Sequence, residues 1–357
     1  MKDSVLVTLA DELYIEQAKQ LFSSAWHNAC WKGDYALIAT KVSKKDLQWF
    51  KDKGIYVFDA KQISSDTSTK IGTEENNWPN TVLSKFYLFS NFFTQWKNVV
   101  FLDADIIVTG SLNPISKVQG LHAVKDHFPS IGIRFKETCL LTDEHDIKLK
   151  KEIKKRIKHF DVAFNSGVLA FSTDIIQKET HEKIVSLCHK YGRIAYSDET
   201  ILNMYFYKKW KQLPNAYNVC PRYWMRDYGL AESEIKGAVL HFIGSKNKDK
   251  PWNVTNPYYS TWRFYKNKSN TIDTTIINKT TFQFSKKQVR RYERFISIRK
   301  LIAVIPFCVR LLNIIQDKKS EFKTKILFHH IIDQYVGLIG LLTKCKIPRL
   351  YSFLKKK

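Results

Sequence analysis

The chain has 357 residues, of which 44% are apolar, and its formal net charge is +24. Its 23 phenylalanines, 17 tyrosines and 9 tryptophans exclude an intrinsically disordered chain and are sufficient for a large core. The charge is uneven, because residues 265–357 contain 21 Lys or Arg against 5 Asp or Glu. The basic excess therefore belongs to the C-terminal segment, and the role of that segment must explain it.

The six cysteines lack the Cys-x-x-Cys spacing of zinc and redox sites, and their scatter predicts reduced thiols in a cytosolic protein. The N-terminal residues lack the apolar stretch of a secretory signal. No run approaches the ~18 uncharged apolar residues that a membrane-spanning helix needs. We therefore expect a cytoplasmic protein without a membrane span.

The first 110 residues alternate predicted strands with predicted helices. The strands are expected at residues 4–9, 35–39, 55–58 and from residue 99 onward, and the helices at residues 11–25 and 81–93. Residues 64–80 are polar and predict a loop. Alternation of this kind predicts a mostly parallel, doubly wound sheet, whose strands deliver ligand-binding residues at their carboxyl ends.

The second half begins with a highly charged segment at 143–160, which predicts a solvated helix, followed by strands at 162–171 and 238–242. After Trp262 the composition changes. Residues 265–286 are rich in Asn, Thr and Lys and predict a linker, and residues 287–357 alternate basic clusters with apolar stretches. We therefore predict one α/β domain over 1–264 and a basic helical tail over 287–357.

Two carboxylates, Asp103 and Asp105, interrupt the apolar segment that begins at Val99. Because burying unpaired carboxylates is costly, the strand is predicted to end at Leu102 and to place both at the carboxyl edge of the sheet. A divalent cation could neutralise them there. The chain has no Gly-x-Gly-x-x-Gly or Walker loop, so such a cation would supply a different means of binding a nucleotide. The alternative interpretation of the pair is a solvated strand-to-loop turn.

Four segments share an order and spacing that is informative only when they are taken together: Phe101–Val108, Phe164–Val168, Ser197–Asn203, and His241–Gly244 followed by Lys250-Pro251-Trp252. They resemble family 8 of the retaining glycosyltransferases, which includes glycogenin and bacterial lipooligosaccharide galactosyltransferases, and the resemblance covers roughly residues 4–262. It implies an α/β GT-A fold, a Rossmann-like nucleotide-sugar domain with a mixed central sheet, here with a basic α-helical C-terminal extension. It also implies a UDP-hexose donor and a divalent cation, usually Mn²⁺, with Mg²⁺ as a substitute.

The resemblance carries over to individual positions. Asp103 and Asp105 match the Asp-x-Asp metal ligands of the family, and His241 matches its third protein ligand. Carboxylate oxygens with one imidazole suit Mn²⁺. Taken alone, His241 would be read as a core-edge histidine at the end of a strand. The positions that match nucleotide or phosphate contacts are Thr8, Leu9, Tyr14, Lys85, Ala104, Gly244 and Lys250.

Three extra residues precede Lys-Pro-Trp in this chain, which leaves Lys246 or Lys248 as alternatives to Lys250 in contacting the phosphates. Lys85 is also open to interpretation as an exposed helix lysine, and Tyr14 as an ordinary helix aromatic.

The resemblance assigns the donor sugar to Asn165, Ser166, Asp198 and Glu199, with Asp198 and Glu199 as the catalytic candidates. Glu199 stands where most relatives have glutamine. A carboxylate is a competent glycosyl nucleophile or oxocarbenium stabiliser, whereas an amide is a poor one. We hypothesise that Glu199 stabilises the reacting face of the sugar more strongly than glutamine would. The alternative is that it only hydrogen-bonds the sugar.

Basic clusters alternating with Leu, Ile and Phe over 287–357 are typical of interfacial amphipathic helices. Each Lys or Arg near an anionic bilayer contributes about 1 kcal/mol to binding. We expect peripheral attachment to the cytoplasmic face of a membrane, with a small helical subdomain packed on the catalytic domain as the alternative. Nucleic-acid binding is not expected, because the apolar clusters are aliphatic and no nucleic-acid-binding motif is present.

The predicted function is transfer of galactose or glucose from a UDP-sugar, with retention, to a glycan acceptor such as a lipid-linked or surface polysaccharide precursor. One alternative is glycogenin-like self-glucosylation. Tyr223 and Tyr228 lie near the position of the glycogenin acceptor tyrosine, but neither has the matching offset. A non-catalytic scaffold that binds polyanions or membranes is the alternative from another class.

Overall fold

The computed structural model describes residues 1–63, 72–73, 76–77, 80–131, 144–158, 161–195, 197–228, 230–244, 246–276 and 287–297. Eleven strands are named within this part of the chain: β1 Lys2–Ala10, β2 Asp34–Ala39, β3 Tyr56–Asp59, β4 Gly72–Thr73, β5 Asn76–Asn77, β6 Trp96–Leu102, β7 Ile106–Val108, β8 Leu121–Ser130, β9 Val162–Ser172, β10 Trp210–Gln212 and β11 Val239–His241.

The α-helices of the same described ranges confirm the predicted helices near residues 11–25 and 143–160. They are α1 Ile15–Asn28, α2 Lys44–Asp52, α3 Glu144–Arg156, α4 Thr180–Tyr191, α5 Asp198–Tyr205, α6 Pro221–Tyr228, α7 Tyr259–Asn267 and α8, residues 287–297. Short 3₁₀ turns join many of these elements.

Seven strands form the central sheet in the order β10-β8-β9-β6-β1-β2-β3. The β1–β2, β1–β6, β2–β3 and β8–β10 pairs are parallel, and β9 runs antiparallel to both β6 and β8. The sheet is therefore mixed. Because β9 is antiparallel to β6 and Val168 pairs with Leu102, the residues just before Val168 lie at the edge of the sheet where β6 ends.

The alternation of side chains along β1 explains why this strand lies in the interior of the sheet and not at an edge. Leu6 packs into one apolar layer with α1, whereas Val5 and Val7 pack into the layer on the opposite face of the sheet. All three side chains are fully buried. A strand with apolar residues on both faces needs cover on both faces, and the two layers provide it.

Residues 81–93 differ from the predicted α-helix. The structure has two 3₁₀ segments there, Asn80–Phe89 and Asn91–Gln95. Leu83, Phe86 and Phe89 follow one another at intervals of three and are fully buried. This interval matches the three residues per turn of a 3₁₀-helix, so the tighter turn places all three on one face.

The predicted loop at 64–80 contains one short antiparallel pair, Gly72–Thr73 with Asn76–Asn77. Most of that loop lies outside the described residues, as does the tail after residue 297. Among the helices that the structure does describe, none combines the length and the apolarity needed to cross a membrane.

The segment predicted as a linker continues to pack against the domain as far as residue 276. Ile272 is buried in the core layer next to α1. The Trp26 indole N–H donates to the backbone oxygen of Asp273 at 2.9 Å. The boundary at residue 264 stays a prediction, and these contacts show where the adjoining residues lie.

Helix α8, the first part of the predicted tail, also packs on the domain. Tyr292 stacks on Trp224 with ring centres 5.3 Å apart. The Glu293 carboxylate accepts hydrogen bonds from the Ala216 N–H at 3.1 Å and from the Asn215 side-chain amide at 2.8 Å. The helix therefore supports the turn at Asn215–Tyr217, which precedes a residue of the candidate site.

Candidate active site

The structure brings Asp103, Asp105 and His241 together at the carboxyl edge of the sheet. Each offers a ligand atom, and these three atoms all lie within 4.8 Å of one another. His241 Nε2 is 3.2 Å from an Asp105 carboxylate oxygen and 3.8 Å from one of Asp103. Two carboxylates and an imidazole at this spacing form a donor set that fits a divalent cation.

Backbone pairing fixes the positions of these three residues. The Asp103 N–H donates to the oxygen of Gly167 at 2.9 Å, and the Phe242 N–H donates to the oxygen of Asp105 at 3.0 Å. Strand β11 pairs with β7 so that His241 lies opposite Ile106. The strand end predicted at Leu102 is confirmed.

Gly167 is required by the close approach of the metal-site residues. A Cβ atom there would lie 2.1 Å from His241 Cε1 and 2.9 Å from an Asp103 carboxylate oxygen. These distances are shorter than any van der Waals contact, so a side chain at 167 would displace His241 or Asp103. The Asn-Ser-Gly segment is thus part of a strand, and its glycine serves close packing.

We predict that Gly167→Ala weakens Mn²⁺ binding at least about tenfold, because the new methyl group moves His241 or Asp103 out of place. Calorimetric titration of MnCl₂ into protein holding UDP measures this. Gly120→Ala is the matched control. Among the described residues, none beyond its chain neighbours comes within 4 Å of its Cβ position, and its φ of +79° predicts only a stability loss of about 1 kcal/mol. Wild-type affinity in Gly167→Ala would contradict the prediction.

Each aspartate of the pair has its own buried lysine. Lys85 Nζ lies 3.0 Å from an Asp103 oxygen and 2.9 Å from an Asp198 oxygen. Lys250 Nζ lies 2.5 Å from an Asp105 oxygen and 3.0 Å from the backbone oxygen of Phe242. Lys85 is therefore no exposed helix lysine.

Lys250, and not its neighbours, is the lysine that the structure places at the carboxylates. It is buried, whereas the side chains of Lys246 and Lys248 are exposed. Immediately before Lys250, residues Asn247–Asp249 form a 3₁₀ turn.

These surroundings give the two aspartates different acidities. Burial raises the pKa of Asp103, and the nearby charges of Lys85 and His241 oppose that effect only in part. Burial acts in the same direction on Asp105, but Lys250 and His241 outweigh it and hold its pKa well below the ordinary range. Asp105 therefore remains a carboxylate at neutral pH, as a metal ligand must.

The four residues predicted to contact the sugar form one connected cluster. One carboxylate oxygen of Glu199 accepts hydrogen bonds from the Asn165 side-chain amide at 2.8 Å and from the Ser166 N–H at 2.9 Å. The Ser166 hydroxyl donates to Asp198 at 3.2 Å. Asp198 and Glu199 occupy the first turn of α5, where Ser197 provides the N-cap. Lys85 joins this cluster to the metal site.

The residues predicted to contact the nucleotide lie along the same edge, with different environments. Tyr14 packs edge-on against Trp252, with ring centres 5.8 Å apart, and burial raises its pKa. Thr8 is fully buried and its hydroxyl donates to the backbone oxygen of Leu102 at 2.7 Å, so that hydroxyl serves to join two strand ends. Leu9 is half-buried beside it.

Ala104 is buried between the two aspartates. Gly244 has a φ of +137°, a conformation that favours glycine, and a Cβ atom there would lie 3.0 Å from the Arg222 guanidinium. Position 244 therefore favours glycine, and the missing side chain leaves the backbone there accessible to a ligand.

Two asparagines of the site were missed in the sequence. The Asn203 side chain exchanges two hydrogen bonds with the backbone of Phe164, at 2.8 and 2.9 Å, and so attaches α5 to β9. Asn218 contacts both Asn165 and His241. The sequence signal that could have identified Asn203 is its position four residues after Glu199, on the same face of one helix.

A cavity opens beside Asn165 and is lined in part by Asp126, Asn215 and Trp224. His127, another lining residue, stacks on Tyr223 with ring centres 4.1 Å apart and planes at 11°. Tyr223, one of the two tyrosines considered as an acceptor, is thus part of an aromatic stack. The side chain of Tyr228 lies outside the described residues.

Comparison with known proteins identifies a family and several relatives of this chain. The model of glycosyl transferase family 8 matches residues 6–256. Glycosyltransferase GlyB of Streptococcus pneumoniae serotype 4 is 26% identical over 197 residues, which are 50% of this chain and 40% of GlyB. Lipopolysaccharide 1,2-glucosyltransferase of Escherichia coli is 26% identical over 150 residues, 41% of this chain and 40% of that enzyme. The matched region is less than half of either relative's length.

The structure of galactosyltransferase LgtC in complex with donor and acceptor sugar analogues has a TM-score of 0.54 and 15% identity, covering 77% of this chain and 98% of LgtC. At this identity the likeness concerns the fold, and it confirms the GT-A fold with a mixed central sheet. The family model spans well over half of the chain. The chain therefore belongs to glycosyl transferase family 8.

Proposed function

We propose that the protein transfers a hexose, galactose or glucose, from a UDP-sugar to a glycan acceptor with retention of anomeric configuration. The observation that carries the proposal is the position of Lys85, which contacts Asp103 of the metal site at 3.0 Å and Asp198 of the sugar cluster at 2.9 Å. In a sugar nucleotide the diphosphate is bonded directly to the sugar, so a donor needs a cation site and a sugar site in this proximity.

Asp103, Asp105 and His241 would hold Mn²⁺, or Mg²⁺ as a substitute. When bound, the cation would neutralise the diphosphate and act as a Lewis acid on the UDP leaving group. Lys250 and Lys85 would add positive charge beside the departing phosphate. Because both lysines are buried and held by carboxylates, their positions are set before the donor binds.

The uracil end of the donor would lie on the side of Tyr14 and Leu9, where the Tyr14 ring supplies an apolar face. Ala104 and Gly244 would let the chain approach the diphosphate closely. The sugar would contact Asn165, Ser166 and Asp198. This order, from base to sugar, follows the order of the residues along the sheet edge.

The acceptor would enter through the cavity beside Asn165. Stacked rings such as His127 and Tyr223 offer a flat apolar surface, and Asp126 offers a hydrogen-bonding carboxylate. A glycan suits this combination. A lipid-linked or surface polysaccharide precursor is supported by the Escherichia coli relative, which is named for its action on lipopolysaccharide.

UDP release from a panel of UDP-sugars, with MnCl₂ and with EDTA, tests the proposal. We expect release from UDP-galactose or UDP-glucose with the metal and its loss with the chelator. Equal release under both conditions would contradict the metal-dependent mechanism. Protein that neither releases UDP from any sugar nor binds UDP in calorimetry would contradict the donor.

Glu199 provides a sharper test of the chemistry. Glu199→Gln keeps an oxygen that can accept both N–H bonds but removes the charge. If that charge stabilises the reacting sugar, kcat falls about tenfold or more while KM changes little. Glu179→Gln, which removes a surface carboxylate ion-paired with Lys183 at 3.0 Å, is the control. Full turnover in Glu199→Gln would leave Glu199 only a hydrogen-bonding role.

We further propose that the basic residues after 297 bind an anionic membrane surface on its cytoplasmic face. The support is the charge and apolar pattern of that segment. Co-sedimentation with anionic and zwitterionic vesicles tests it. We expect salt-sensitive binding to anionic vesicles alone, and its loss in a chain that ends at residue 297. Equal binding by the shortened chain would contradict the proposal.

A further inference from the structure

We propose that Asn218 is a positioning residue that sets the tautomer and the ring orientation of His241 and at the same time holds Asn165 in the sugar cluster. The side chain of Asn218 donates to the Asn165 side-chain oxygen at 2.7 Å. Its own oxygen lies 2.8 Å from His241 Nδ1. One buried amide thus joins the metal site to the sugar site, and this inference rests on the proposed function.

The direction of each hydrogen bond follows from a backbone group whose role is fixed. The Gly167 N–H can only donate, and it lies 3.1 Å from the Asn165 side-chain oxygen. That oxygen is therefore the acceptor, and the Asn165 NH₂ faces Glu199, whose carboxylate oxygen at 2.8 Å accepts. Both ends of Asn165 are thus assigned by their partners.

The orientation of Asn165 fixes that of Asn218, and Asn218 in turn fixes a proton on the His241 ring. Because the Asn165 oxygen accepts, Asn218 must direct its NH₂ toward Asn165 and its own oxygen toward His241. An amide oxygen cannot donate, so His241 Nδ1 carries the proton. The other ring nitrogen, Nε2, is then the one left to bind a metal, and it faces Asp105 at 3.2 Å and Asp103 at 3.8 Å. This is the tautomer that a metal ligand requires.

The backbone around Asn218 is well placed for this role. Val219 pairs with β11, since its N–H donates to the oxygen of Val239 at 3.0 Å and its oxygen accepts from the His241 N–H at 2.7 Å. The positions of Asn218 and His241 are therefore fixed relative to each other. Asn218 and His241 are both buried, so solvent cannot readily replace the lost partner in a variant.

Two substitutions separate the two bonds. Asn218→Ala removes both, and we expect Mn²⁺ affinity to fall about 10–100-fold, the usual effect of losing the hydrogen-bond partner of a histidine ligand. Asn218→Asp keeps an acceptor for Nδ1–H but places a carboxylate against the Asn165 oxygen. Its Mn²⁺ affinity should stay within about threefold of wild type, while its KM for the UDP-sugar rises about tenfold.

The test is calorimetric titration of MnCl₂ into the full chain holding saturating UDP, with ¹⁵N NMR of the His241 ring in the metal-free protein as a second readout, because paramagnetic Mn²⁺ would broaden the ring signals. We expect a proton fixed on Nδ1 in the wild type and in Asn218→Asp, and loss of that fixed position in Asn218→Ala. Asn98→Ala is the matched control. It removes an asparagine oxygen that accepts from the Val118 N–H at 3.1 Å, about 16 Å along β6 from Asp103 by the strand rise, and should leave both readouts unchanged.

The outcomes distinguish a failure of this inference from a failure of the proposed function. Wild-type Mn²⁺ affinity in folded Asn218→Ala would overturn the role of Asn218 and leave the proposed metal site intact. A wild-type protein that binds UDP but no Mn²⁺ would overturn the metal site and the role of Asn218 together. Equal losses of Mn²⁺ affinity in the alanine and aspartate variants would overturn the assignment of the Nδ1–H bond.

Discussion

Asp105→Asn is expected to lower metal-dependent UDP release by about 10³-fold, near the limit of detection. Asp105 is the carboxylate of the pair whose pKa is held well below the ordinary range, because Lys250 and His241 outweigh the effect of burial. The substitution removes the charged ligand and leaves Lys250 without its carboxylate. UDP release in the presence of MnCl₂ measures the effect.

The matched control is Asp3→Asn. Asp3 is also ion-paired, with Lys97 at 3.2 Å, but it lies at the opposite end of β1 from the site. Its substitution should leave UDP release unchanged. Retention of more than a tenth of wild-type release by Asp105→Asn would contradict the assignment of Asp105 as a metal ligand.

Lys85→Met is expected to destabilise the protein by about 3 kcal/mol, because it leaves two carboxylates, the half-buried Asp103 and the buried Asp198, without their shared cation. Lys85 Nζ contacts Asp103 and Asp198, and the two carboxylates raise its pKa although burial acts to lower it. Urea unfolding of the metal-free protein measures the loss. Methionine keeps most of the side-chain volume, so the effect reports the charge and not a cavity.

Lys97→Met serves as the control, since Lys97 also pairs with an aspartate but has an exposed side chain. A pair of that kind contributes about 1 kcal/mol or less. Adding Asp103→Asn to Lys85→Met should recover part of the stability, because it removes one of the uncompensated charges. A Lys85→Met protein that unfolds like Lys97→Met would show that the two carboxylates do not depend on Lys85.

Much of the central sheet could be predicted because its strands are apolar runs. β1, β6 and β9 are buried on both faces, and such strands are recognised by composition alone. The end of β6 at Leu102 followed from the cost of burying Asp103 and Asp105. His241 could be placed in the site because it begins a segment that resembles a family motif, at the end of β11.

The 3₁₀ segments at 80–95 could not be predicted, because Leu83, Phe86 and Phe89 fit a helical face at either three or 3.6 residues per turn. Whether residues 265–297 pack on the domain could not be predicted, for a related reason. Their apolar residues, such as Ile272 and Ile296, show that a surface is buried but not which one. In the structure both are buried in the apolar layer that also contains residues of α1.

Asn218 was missed because its partners are distant in sequence. Asn165 is 53 residues away and His241 is 23 residues away, and an asparagine after a proline-containing segment is typical of a turn. Buried amides that connect two sites have no local signature. Such residues can be identified only once the fold shows which partners lie next to them.

The central claim is that Asp103, Asp105 and His241 hold the divalent cation that binds the UDP-sugar. Anomalous diffraction from a crystal of the protein grown with MnCl₂ and UDP tests it most directly. We expect one strong manganese peak between the two carboxylates and His241 Nε2, in contact with the UDP diphosphate. A peak at another position, or bound UDP with no manganese beside it, would show that these three residues do not hold the cation.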